Sequence, residues 1–174
     1  MRYPLEGIQT KRLYFRKITE SDFVHWLPFF EEPASTQYWE GPSTEPHTAC
    51  RAFFDRIFER YEQNLGGLHA LISKTNGALI GVCGLLVQTV DGLRELEIGY
   101  SILPEHWGLG HATEAAQKCK ETAFKNHGCH SLICIVHKDN LPSQKVALNN
   151  GMALEKKTSY KANPVFIYRI NKMT

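Results

Sequence analysis

The chain has 174 residues, 43% of them hydrophobic, enough to bury one sizeable core and too few for two comfortable domains. A single domain spanning residues 1–174 is therefore expected. The 20 basic and 18 acidic side chains nearly cancel to a formal net charge of +2, which excludes a nucleic-acid binder that works by neutralising a long run of phosphates. The N-terminal segment Met1-Arg2-Tyr3-Pro4-Leu5 lacks the apolar centre of a signal peptide, and no apolar run is long enough to span a bilayer. A soluble, cytoplasmic protein without a membrane partner is expected. Five cysteines, an odd number with no Cys-x-x-Cys pair, suit a reducing compartment, where most act as small apolar core residues.

Residues 11–19 alternate apolar Leu13 and Phe15 with polar Arg12 and Arg16, the pattern of a first strand. Phe23, Trp26, Leu27 and Phe30 then form a helical stripe after the cap Glu20-Ser21-Asp22, with Pro28 inside it predicting a short or broken helix. Residues 34–46, rich in Pro, Ser, Thr and Gly, read as a loop. Cys50, Phe53, Phe54, Ile57 and Tyr61 predict a second helix over 48–64, stopped at Gly66-Gly67. Strands follow over 68–74 and 78–89, joined by a tight turn at Asn76-Gly77, with Gly81 and Gly84 as candidate bulges. A further hairpin at Asp91-Gly92 leads into a strand over 94–103. The small residues Ala112, Ala115, Ala116, Cys119 and Ala123 predict a helix over 109–127 that packs closely on a sheet. A strand over 131–137, a helix over 141–150 capped by Asp139 or Asn140, and strands over 154–160 and 165–170 complete the chain.

The stretch from Glu97 to Ala116 runs from a strand through a glycine-bearing turn into a helix. Such a turn leaves backbone N–H groups unpaired at a helix start, where the macrodipole favours an anion such as phosphate. Trp107-Gly108-Leu109-Gly110-His111-Ala112 is neither a Walker loop nor a Rossmann fingerprint, because no Gly-Lys-Ser/Thr follows and the three-glycine spacing is absent. Glycine counting alone leaves a phosphate site and a tight structural turn equally open.

Gly99-Tyr100, Pro104-Glu105, Trp107-Gly108-x-Gly110-x-Ala112-Thr113-Glu114-Ala115, Asn140-x-x-Ser143 and Gly151-Met152 resemble the GNAT superfamily of N-acetyltransferases, most closely the RimJ/RimL type that acetylates protein N-terminal amines. The likeness extends from Thr10 at the first strand to the last strand. It implies an α/β (α+β) GNAT-like fold, a mixed and mostly antiparallel sheet of about seven strands flanked by helices, with one splayed strand pair. It also implies acetyl-CoA as cosubstrate, its pyrophosphate held at Trp107, Gly108, Leu109, Gly110, His111, Ala112 and Thr113. Ile102 and Leu103 would meet the pantetheine arm through their backbone, Asn140 would bind or orient the cofactor, and Ser143 would lie near its sulfur. The acceptor would be an amine, such as the N-terminus of a ribosomal protein, and the enzyme a monomer or homodimer.

Acetyl transfer needs an unprotonated amine, a hydrogen bond to the developing oxyanion, and a proton for the departing thiolate. By resemblance Glu97 is the base, a backbone N–H near Tyr100 to Ile102 the oxyanion donor, and Ser143 the acid. Asn140, Pro142 and Ser143 are equally the residues of an ordinary helix start. RimL-type relatives carry an acid before the last strand, whereas residues 156–164 here contain none. Glu97, a water chain or a substrate near its own pKa remain as routes to the free amine. Tyr38, Trp39 and Glu40 are candidates for the acceptor pocket. No metal site is expected: Cys129, His130, Cys134 and His137 lack finger spacing, and strand alternation divides them between two faces. A small-molecule amine acceptor, or a CoA-binding module with little catalysis, are the alternative readings.

Overall fold

The computed structural model describes residues 4–38, 45–126 and 128–173. Strand β1 (Leu13–Lys17) leads through a 3-10 turn into helices α1 (Phe23–Glu31), α2 (Pro33–Thr36) and α3 (Pro46–Glu62). The meander β2 (Gly66–Ser73), β3 (Leu79–Val90) and β4 (Leu93–Ile102) follows, then α4 (His111–Asn126), β5 (Ser131–His137), α5 (Leu141–Asn149), β6 (Ala153–Tyr160) and β7 (Asn163–Asn171). The strands form a seven-stranded sheet in the order β1-β2-β3-β4-β5-β7-β6. Its neighbours are antiparallel except β4 and β5, which run parallel. This is the mixed α/β architecture that the sequence predicts.

Burial on both faces explains why β3 reads as a nearly unbroken apolar run. On one face Ala115, Ala116, Cys119 and Ala123 of α4 lie against Cys83, Leu85 and Ile98, their small side chains letting the helix backbone approach the sheet. On the other, Trp26, Phe29 and Phe30 of α1 pack with Phe53, Phe54 and Ile57 of α3 over Ala70 and Val82. Trp26 stacks on Phe29 with ring centroids 4.7 Å apart. Each such aromatic contributes about 1.5–3 kcal/mol through burial. A smaller cluster of Val90, Ile133, Val165 and Ile167 ties β5 and β7 to the end of β3.

Helix α1 is short, as Pro28 leads one to expect, though it runs unbroken through that residue. Val24, whose carbonyl loses its helical partner to that proline, is exposed, so water can satisfy it. Only Gly77 of the Asn76-Gly77 pair has positive φ, and Ser73 bonds across to Ala78, so this connection is a longer loop rather than a two-residue turn. At Asp91 and Gly92 both residues have positive φ, as a tight hairpin demands. Lys161 and Ala162 do the same between β6 and β7, a turn that their residue types do not announce. The bulge in the meander falls between Leu71 and Ile72 opposite Gly81, whereas Gly84 sits in regular pairing with Leu68.

Gly84 has another reason to be glycine: an added Cβ would lie 2.0 Å from the Gly67 carbonyl oxygen. Gly84→Ala must therefore push β2 and β3 apart. The expected cost is about 1–3 kcal/mol, read as a lower urea midpoint with an unchanged slope. An unchanged midpoint would contradict so close an approach.

Candidate active site

The parallel strands β4 and β5 share one registered pair, Glu97 with Ile133, and then part. Alternation decides which backbone groups face the resulting gap. Leu103 donates its N–H to Ile80 on β3 at 3.0 Å, so the odd-numbered residues near the end of β4 point their backbone away from β5. The even-numbered ones point into the gap: the Ile98 carbonyl accepts the Cys134 thiol at 3.3 Å. The Ile102 carbonyl accepts the Trp107 indole N–H at 2.7 Å. The N–H groups of Tyr100 and Ile102 thus face the opening, and Leu103 does not.

Past the end of β4, Gly108 and Gly110 both take positive φ, 74° and 78°, with Leu109 between them. This turns the chain sharply into α4, a conformation only glycine adopts without strain. The first backbone bond at the helix start runs from the Glu114 N–H to the Gly110 carbonyl. It leaves the N–H groups of His111, Ala112 and Thr113 directed outward at the positive end of the dipole. Arg12 fastens this turn, donating from Nη1 to the Leu109 carbonyl at 2.8 Å and from Nε to Glu114 at 2.5 Å. Thr10 donates its hydroxyl to the same carboxylate at 2.6 Å. Burial, together with the Arg12 cation, lowers the pKa of His111. The Arg12–Glu114 pair joins residues 102 apart, and no local pattern announces it.

Helix α5 opens as the residue types predict, with Asn140 as its cap: the Asn140 Oδ1 accepts the Ser143 N–H at 3.1 Å. Across the gap Tyr100 reaches from β4, its hydroxyl donating to the Ser143 carbonyl at 2.9 Å and accepting from Ser143 Oγ at 3.2 Å. Burial raises the Tyr100 pKa well above the ordinary phenol value, so it stays protonated and remains a donor. Sequence reading used only the backbone of Tyr100. The alternation of β4 does mark its side chain as sharing the face of Ile98.

Glu97 stands on the opposite face of β4 and is half-buried. Burial raises its pKa above the ordinary carboxylate value, while hydrogen bonds from Gln88 and the Ile135 backbone and the charges of Arg60 and Lys161 oppose that rise. The Gln88 bond is short, 2.6 Å.

A cleft of about 660 Å³ connects these parts, running from the start of α4 along the gap to Ser143. Of the residues singled out in the sequence, Ile102, Trp107, Gly108, Gly110, His111, Ala112, Thr113, Asn140 and Ser143 line it, as does Tyr38, whose ring stacks on His137 at 5.1 Å. Leu103 is buried in the aromatic cluster, Leu109 is exposed, and Glu97 lies behind the gap rather than in the cleft wall. Trp39 and Glu40 lie outside the described residues. The cleft also takes in Ser35, Gln37, Lys145 and Asn149, which sequence reading missed.

The cleft suits a long phosphorylated thioester: a row of free N–H groups receives an anion at one end, and unpaired strand groups meet an amide-bearing arm beyond it. Arg12→Ala removes two hydrogen bonds that brace the cradle. It is expected to weaken coenzyme A binding about tenfold, as about 1–2 kcal/mol of lost organisation implies. Isothermal titration reads the change, and an unaltered affinity would separate Arg12 from the cradle.

Residues 12–153 match the family model described as the acetyltransferase (GNAT) domain. An uncharacterised N-acetyltransferase, YoaA of Bacillus subtilis, is 27% identical over 148 residues, covering 85% of this chain and 83% of its own. The fold is shared with an acetyltransferase from Agrobacterium tumefaciens at a TM-score of 0.81 and 22% identity, covering 99% of this chain and 98% of that one. It is shared also with RimL, described as a ribosomal L7/L12 alpha-N-protein acetyltransferase in complex with coenzyme A. There the TM-score is 0.75 and the identity 16%, over 95% of this chain and 97% of that one. The parted strands, the glycine turn at the start of α4 and the matched domain make this chain a member of the GNAT family of acetyltransferases.

Proposed function

We propose that this enzyme transfers the acetyl group of acetyl-CoA to a primary amine, and that its acceptor is a protein N-terminal amine. The observation that carries the reading is the continuous cleft from the α4 cradle to the strand gap. The pyrophosphate would sit on the N–H groups of 111–113, and the pantetheine amides would pair with the Tyr100 and Ile102 backbone in the gap. The thioester would then lie near Ser143, beside the parting of the strands.

Each group of the chain then has a task. The Tyr100 or Ile102 N–H donates to the carbonyl oxygen as charge develops there. Glu97, on the far side of the gap, removes a proton from the attacking amine, directly or through water. A C–N bond forms and the C–S bond breaks. The Ser143 hydroxyl, which donates to Tyr100 Oη in the free enzyme, would turn its one proton to the thiolate as a hydrogen bond or by transfer, while Tyr100 stays anchored on the Ser143 carbonyl. The raised pKa of Glu97 fits a base, which must be more basic than a free carboxylate to take a proton from the amine.

Two features support a peptide acceptor. The RimL likeness is one. The other is the two-residue β6–β7 turn at Lys161 and Ala162, which sets no long β6–β7 loop in the way of an extended chain end. Among the described residues no helix is long and apolar enough to cross a membrane. With five free cysteines, this suits work in the cytoplasm, as a monomer or homodimer.

Free-thiol release measured with hexapeptides beginning in Ser, Ala or Met, against spermidine and an aminoglycoside, tests the acceptor. Peptides turned over best support the reading, and turnover confined to the small amines overturns it. Ser143→Ala is expected to lower kcat by about 100-fold, the scale of a lost general acid, with a smaller change in KM; full activity would remove Ser143 from its role. Because Glu97 must be ionised, kcat should fall as the pH drops through its raised pKa. Glu97→Gln should abolish that acidic limb together with most of the rate.

A further inference from the structure

Behind the gap a chain of hydrogen bonds crosses three strands. Gln88 of β3 donates from Nε2 to Glu97 Oε2 of β4 at 2.6 Å, and Tyr160, the last residue of β6, donates its hydroxyl to Gln88 Oε1 at 2.9 Å. Gln88 and Glu97 are diagonal neighbours on one face, since Glu97 pairs directly with Leu86. Tyr160 and Gln88 are both half-buried.

The polarity of this chain is fixed by what each group can do. An ionised carboxylate only accepts, so the Gln88 amide must turn its NH2 toward Glu97. Its carbonyl oxygen then faces Tyr160, whose hydroxyl must donate. Rotation of the amide would set carbonyl oxygen against carboxylate, which opposes it, and the Tyr160 hydroxyl anchors the Gln88 side chain from its other end. Arg60 of α3 stands near, its Nη2 shared between the Leu65 and Val87 carbonyls at 2.8 and 2.7 Å. Lys161 follows Tyr160 in the turn, and the Ile135 N–H, freed where β5 leaves β4, also points to Glu97. The carboxylate is thus met from β3, β5, α3 and the β6–β7 turn.

We infer that Gln88 and Tyr160 are positioning residues of the acetyltransferase: they hold the Glu97 carboxylate in place behind the gap, so that β6, the strand farthest along the sheet from β1, takes part in the reaction through two hydrogen bonds. The inference rests on the reading of Glu97 as base and adds to it the groups that keep it ready. It gives residues 156–164, which carry no acid, a part in base catalysis through a phenol instead.

The test follows the Glu97 carboxyl itself. A 13C NMR titration of protein labelled in its glutamate side chains identifies the Glu97 resonance by its loss in Glu97→Gln. Gln88→Leu withdraws a donor from the charged form, so the titration midpoint should move up by about half a pH unit or more. Tyr160→Phe should move it in the same direction by less, and it serves also where Gln88→Leu folds poorly. Activity with acetyl-CoA and a Ser-initiated hexapeptide should show its acidic limb displaced to match. An unmoved midpoint in folded Gln88→Leu and Tyr160→Phe overturns the inference, because a merely structural role alters the melting temperature without altering this titration. A moved midpoint with near-wild-type activity in Glu97→Gln would leave the positioning intact and remove Glu97 as the base, so the two failures are distinguishable.

Discussion

One constraint governs this molecule: β4 and β5 must separate after a single ladder pair without the sheet coming apart. Separation leaves strand N–H and C=O groups unpaired, which is costly unless something else satisfies them. The protein meets part of that cost internally. The Trp107 indole takes the Ile102 carbonyl, the Cys134 thiol takes the Ile98 carbonyl, and the Ile135 N–H turns to Glu97. The groups it leaves open, on Tyr100 and Ile102, are the ones a cosubstrate amide can fill.

The gap persists because the halves of the sheet are anchored independently. The β1–β4 half is clamped between α4 on one face and the aromatic α1–α3 layer on the other. The β5–β7–β6 half is held by its own antiparallel ladder and by the Val90, Ile133, Val165 and Ile167 cluster. Arg169 of β7 adds a bridge back to Glu95 of β4, at 2.6 Å and largely shielded from solvent. Below the parting point the halves are thus bound tightly. Above it Tyr100 and Ser143 are joined across the opening by hydrogen bonds alone.

Sequence alone revealed most of the architecture, because local periodicity and caps carried it: the alanine face of α4, the Asn140 cap and the Asp91-Gly92 turn are each written within a few residues. The cradle was legible for the same reason, since its chemistry is that of one turn and one helix start. What escaped were contacts between distant residues. Arg12 fastens a turn about a hundred residues away, and Tyr160 reaches Gln88 across a separation of 72; neither spacing has a local signature. The Lys161-Ala162 turn escaped for a different reason. Its positive φ values are imposed by the pairing of β6 with β7 rather than by residues that prefer them.

The two-residue period of β4 then becomes a device for catalysis. Glu97 and Tyr100 are three apart, so they stand on opposite faces of one strand beside the gap. Burial raises both pKa values, with opposite consequences. For the phenol it opposes ionisation at neutral pH and leaves a donor on the side where the proposed reaction would release the thiolate. For the carboxylate, the bonds from Gln88 and Ile135 and the charges of Arg60 and Lys161 restrain the rise, leaving an acceptor more basic than a free carboxylate. The proposed reaction, with an amine arriving on one side and a thiol leaving on the other, would use that division, and a helix could not provide it, because residues three apart on a helix share a face.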